Sequence, residues 1–124
     1  MFKLFRKKAK YKYSPAIAKH LIDIINEVKI YISDDSDMTY CYYETPKAFI
    51  IELNKYIQEI QKENMKVIDD LSVEFAVTGN LQEHSMGNGW SDEYLLIAEK
   101  FDEIEKLIKI NTQRDFCNLL LWGA

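Results

Sequence analysis

Residues that staple, break or ligate are scarce in this 124-residue chain, which holds only two cysteines, two prolines, two histidines and four glycines. Cys41 and Cys117 are too far apart for a C-x-x-C pair and too few for a disulfide framework, so two reduced thiols in a cytoplasm are expected. His20 and His84 form no H-x-H or H-x-x-x-H pair, and no zinc box is read. The glycines at Gly87 and Gly89 spell GNG, which is not a phosphate-cradling G-x-G-x-x-G or G-x-x-x-x-G-K loop. No run approaches the roughly 18 apolar residues of a membrane span. The opening residues lack the apolar core of an export signal as well. No catalytic residue, metal or cofactor is assigned.

What is present suits one globular domain. Hydrophobic residues make up 48% and charged residues 29% of the sequence. A chain of this length buries roughly two-thirds of its unfolded surface, enough for a core without staples. The net charge of -4 conceals an uneven layout. Residues 1–13, MFKLFRKKAKYKY, carry six basic side chains and no acid, whereas residues 14–124 carry 10 basic and 20 acidic ones. The expected organisation is therefore a basic arm over 1–13 and a single acidic domain over 14–124. Such a body steers towards basic partners and repels nucleic acid. The arm, with Phe2, Leu4 and Phe5 beside its lysines, suits a solvated terminus or a place against the acidic body, a weak contact with an anionic membrane surface, or a local contact with nucleic acid.

Helical punctuation dominates the pattern. Ser14 and Pro15 make an N-cap and first turn, and Ile17, Leu21, Ile24, Ile25 and Val28 follow at helical spacing, predicting a helix from Pro15 to about Ile32. Thr45 and Pro46 open a second, with a stripe through Phe49, Ile50, Leu53, Ile57 and Ile60 to at least Gln61. Ser91 as N-cap, followed by Asp92 and Glu93, opens a third that ends near Lys109. Thr112 and Asp115 resemble a capping box for a short C-terminal helix carrying Phe116, Leu119 and Leu120 onto the core.

Residues 64–77 fit two periods at once. Leu71, Val73, Phe75 and Val77 alternate as in a strand, yet Val67, Ile68, Leu71 and Phe75 continue a helical stripe towards Gly79. The expected fold is mainly α, a compact bundle of three longer helices plus a short C-terminal one. Its alternative is α+β, with a small antiparallel sheet from 38–43, 71–78 and 81–86.

Two segments are candidate contact surfaces. Asp34, Asp35 and Asp37 do not form a calcium loop, because counting from Asp34 or Asp35 puts Thr39 or Tyr40 where the glycine belongs and Thr45 or Pro46 where the glutamate belongs. With Tyr40, Tyr42, Tyr43 and Glu44 they combine aromatic contact area with carboxylates that select a basic protein partner. The second patch is the glycine-bearing loop Thr78–Trp90 and the helix start beyond it, with His84, Asn88, Trp90, Asp92, Glu93 and Tyr94. Trp90, in the N′ position, is expected to staple onto Leu95. A small acidic helical chain with tyrosine and carboxylates in its loops resembles, as a class and without a shared motif, the bacterial immunity proteins that neutralise a toxin. The expected function is a cytoplasmic binding module that neutralises or escorts a basic protein. A rival reading is a small enzyme or ligand-binding domain whose pocket is gated by 78–90 and uses Glu83, His84 and Asp92.

Overall fold

The computed structural model describes the backbone of residues 14–64 and 66–122, with side chains through Ile110. Five helices follow in order: α1 (Pro15–Ile30), α2 (Pro46–Gln61), α3 (Val67–Glu74), α4 (Asn80–Gly87) and α5 (Ser91–Trp122). Among the described residues there is no strand, so the fold is mainly α and the alternative sheet is discarded. No helix of the described residues is long and apolar enough to cross a membrane.

The starts of α1 and α2 are held by the residues expected to hold them. Ser14 Oγ accepts from the Ile17 N–H at 3.3 Å and Thr45 Oγ1 from the Ala48 N–H at 3.1 Å, each with proline in the first turn. α1 stops at Ile30, two residues short of the expected end, although Ile32 is still buried. All five helices send apolar side chains into one cluster. Its fully buried members include Leu21 and Ile25 from α1, Phe49 and Leu53 from α2, Leu71 from α3, Leu81 from α4, and Phe101 and Ile108 from α5.

The ambiguous stretch holds one helix, α3, set off from α2 by a turn. α2 closes in a Schellman motif: the Glu63 N–H donates to Ile60 O at 3.0 Å and the Asn64 N–H to Glu59 O at 2.9 Å. Glu63 takes the left-handed position there, at φ 61°. The apolar stripe continues past this break into α3, which is why the sequence alone reads as continuous. α3 buries Val67, Ile68 and Leu71, leaving Val73 and Val77 exposed, which the strand reading would have buried beside Leu71. At Gly79 a Cβ would lie within 2.6–2.8 Å of the carbonyl oxygens of Val73, Glu74 and Ala76, so only glycine fits this approach.

Two further expectations are corrected. Thr78–Trp90 is not a loop: its middle forms α4, with Leu81, His84 and Ser85 on a buried face at helical spacing. The glycines stand at its borders, as N-cap (Gly79), last residue (Gly87) and positive-φ turn (Gly89, φ 77°), and so punctuate the helix without disrupting it. The break near Lys109 and the separate C-terminal helix are absent too, since α5 runs unbroken through Thr112 to Trp122. A Thr-x-x-Asp spacing inside a helix satisfies no free N–H groups, because those amides already have backbone partners. The basic arm, and the docking of Phe116, Leu119 and Leu120, lie outside the described residues and side chains.

Candidate functional site

The segment between α1 and α2 carries the first contact patch, and two asparagines of the α4 region fix its path. The Asp37 N–H donates to Asn88 Oδ1 at 2.7 Å, while Asn88 Nδ2 donates back to Asp37 O and to His84 O, each at 2.9 Å. The Tyr42 N–H donates to Asn80 Oδ1 at 2.7 Å. Between these clamps Asp37 Oδ1 accepts from the Thr39 N–H at 2.9 Å and from its hydroxyl. Those bonds hold the Asp37 carboxyl below the usual carboxylate range. Tyr40 and Tyr42 are left 78% and 84% exposed, with Asp34, Asp35 and Glu44 also exposed.

Tyr43 departs from that patch. It is half-buried, its ring stacks on Phe49 with centroids 4.6 Å apart, and its hydroxyl donates to Glu74 Oε2 at 3.3 Å. Glu74 is almost wholly buried, with Oε1 accepting from Asn80 Nδ2 at 2.8 Å. Burial pushes its carboxyl up, and the bonds from Asn80 and Tyr43 oppose the shift. Burial likewise pushes the Tyr43 phenol to about 12 and raises that of its neighbour Tyr56. Sequence reasoning missed the Glu74, Asn80 and Tyr56 roles, since nothing in a sequence marks which polar residue of a helix faces inward.

The second patch divides. Asp92 and Glu93 are exposed and Asn88 is half-buried, but His84, Trp90 and Tyr94 are core residues. These three side chains pack in the core and present no contact surface of the kind expected of them. Trp90 stacks on Tyr31 at 4.6 Å, meets the edge of Tyr94, and donates from Nε1 to His84 Nδ1 at 2.9 Å. The expected staple is not made: Leu95 is 61% exposed. Because Trp90 O accepts from the Tyr94 N–H at 2.9 Å, Trp90 itself is the N-cap, one position later than the N′ place expected of it. The partner of a staple would then be set by Gly89, which has no side chain.

His84 accepts at Nδ1, so its neutral ring carries the proton on Nε2. That nitrogen is buried without a hydrogen-bond partner among the described residues. Burial lowers the imidazole pKa, with Asp37 pulling the other way. The middle of 78–90 is helix α4, and on it the His84 ring meets Trp90 in the core with centroids 5.6 Å apart. His20, by contrast, is exposed on α1.

A feature the sequence reading did not single out lies between α1 and α5. Two adjoining depressions of about 330 and 350 Å³ share Glu27, Lys100 and Glu103 and form one groove. Tyr31 and Glu93 lie at one end and His20 and Ile104 at the other, so the two helices run antiparallel along it. Its carboxylates are Asp23, Glu27, Glu93, Glu99 and Glu103, and its one lysine, Lys100, bridges Glu27 at 3.3 Å. Ile24, Leu96, Ile97 and Ile104 supply apolar surface, with Leu96 62% exposed. The signal was present in the sequence as acids four apart, Asp23 and Glu27, Glu99 and Glu103, flanking apolar stripes. No protein-family model, curated protein or solved structure matches this chain.

Proposed function

We propose that the protein is a binding module that neutralises or escorts a basic protein partner in the cytoplasm, the role taken by bacterial toxin-immunity proteins. The supporting observation is the clamped segment 31–45. Its backbone is tied at Asp37 and Tyr42 to Asn88 and Asn80, yet the Tyr40 and Tyr42 rings stand in solvent beside Asp34, Asp35 and Glu44. Rings held on a fixed backbone lose little entropy on binding, and tyrosine is enriched among interface hot spots. The neighbouring carboxylates favour lysine- and arginine-bearing surfaces and speed encounter at low salt.

The test is affinity capture from the source cell at low and high ionic strength, with wild type beside Tyr40→Ala/Tyr42→Ala. Wild type retains a basic protein at low salt and the variant loses it by at least about tenfold, which is 1.4 kcal/mol in binding. The variant melts with wild type, because exposed side chains contribute within about 0.5 kcal/mol. Recovery of no protein at either salt, or equal recovery by both chains, defeats the reading.

A further inference from the structure

We infer that the α1–α5 groove is occupied by residues 1–13 of the same chain, a basic apolar segment docked on an acidic apolar groove. Charge is the first argument. The segment carries six cations, Lys3, Arg6, Lys7, Lys8, Lys10 and Lys12, and no acid. The groove presents the five carboxylates named above against Lys100, which bridges Glu27, and Lys19 at its edge, which bridges Asp23 at 3.1 Å, so carboxylates remain in excess. At separations within a Debye length, about 8–10 Å at moderate salt, these attract.

Reach is the second argument. Residues 1–13 join α1 at its N-cap Ser14, and the groove begins at His20, about 9 Å along the helix, and ends at Tyr31, about 25 Å along it. An extended chain covers about 3.3 Å per residue, so the nine steps from Ser14 to Phe5 span about 30 Å. The order of residues agrees with that distance. The cations at 6–12 would pass Asp23, Glu27 and Glu103, and Phe2, Leu4 and Phe5 would arrive where Leu96 is exposed. Direct linkage gives the segment an effective concentration on the order of millimolar, an advantage that no second molecule has in dilute solution. This inference shares no residue with the Tyr40–Tyr42 surface, and either can fail without the other.

Trypsin reads the arrangement directly, since the segment is dense in lysine and arginine. Release of peptides from residues 1–13 is followed by mass spectrometry for the full chain and for Glu99→Lys/Glu103→Lys, with thermal melting to verify that both fold. At about 20 mM salt the wild-type segment is cleaved about tenfold more slowly than that of the variant, and about 0.5 M NaCl abolishes the difference. Equal cleavage at low salt overturns the inference. Protection that rises with protein concentration overturns it in favour of a second copy, and protection that needs phosphatidylserine vesicles overturns it in favour of a membrane. A second chain, Lys7→Glu/Lys8→Glu, leaves the body untouched. Its amide resonances at Glu27 and Glu103 should differ from wild type at low salt and coincide at high salt, and coincidence at both overturns the inference.

Discussion

Trp90 shows how much a single side chain can carry. Its ring is held between the stacked Tyr31 and the edge of Tyr94, and its N–H is the donor to a histidine with no exposed surface. Truncation of a buried tryptophan costs about 3–5 kcal/mol, and here it also leaves His84 Nδ1 without its donor. Trp90→Ala is therefore expected to lower the melting temperature by well over 2 °C, since 1 kcal/mol alone moves a domain of this size by several degrees. A shift below about 2 °C in a thermal melt would contradict the packing role. The sequence suggested the importance of Trp90 through its place at a helix start, but gave its partner as Leu95. Of its partners only Tyr94 is close in sequence, whereas Tyr31 follows α1 and His84 sits on α4, at separations that a local capping rule does not reach.

At the scale of the helix, the two ends that differ from ordinary expectation are both testable. Glu63 occupies the left-handed C′ position of a Schellman motif, where a non-glycine residue is strained by about 1–2 kcal/mol. Glu63→Gly recovers part of that strain, offset by the greater entropy of glycine in the unfolded chain, and should raise the urea midpoint by an amount worth up to about 1 kcal/mol. A lowered midpoint would mean that the turn is not left-handed. The continuity of α5 through Thr112 predicts a different response. Alanine is the better helix former at an interior position, so Thr112→Ala should leave stability unchanged or raise it by a few tenths of a kcal/mol. If Thr112 were an N-cap, the same change would cost about 1 kcal/mol. Chemical denaturation of the two chains separates these outcomes.

For the whole molecule, two buried titratable groups pull stability in opposite directions with pH. The His84 pKa is lowered by folding from an ordinary 6.5. Its neutral form has no charge to desolvate at high pH, and stability is lost as pH falls below about 6.5 because the unfolded chain takes up the proton first. The Glu74 carboxyl is raised by folding from an ordinary 4.5, so the native chain holds its proton longer and stability is lost as pH rises above about 4.5. Urea midpoints across about pH 4 to 8 should show the advantage of wild type over His84→Leu shrinking towards acid. The advantage over Glu74→Gln should shrink towards neutral pH. Parallel curves for wild type and either variant would place that group in water rather than in the core.

The sequence by itself determined the helical class, the two serine or threonine caps followed by proline, and the apolar stripes of α1 and α2. These depend on neighbours within four residues, and the physics of a turn of helix is contained in that span. The exposure of Tyr40 and Tyr42 was also legible, from their setting among acids in a segment with no helical period. Only the tertiary structure decided that 78–90 encloses a helix, that Tyr43, His84, Trp90 and Tyr94 face inward, and that the acids of α1 and α5 border one groove. Each of those outcomes depends on which helix lies against which. A polar or aromatic residue becomes core or surface according to a neighbour that is distant in sequence, as Glu74 does against Tyr43 and Asn80.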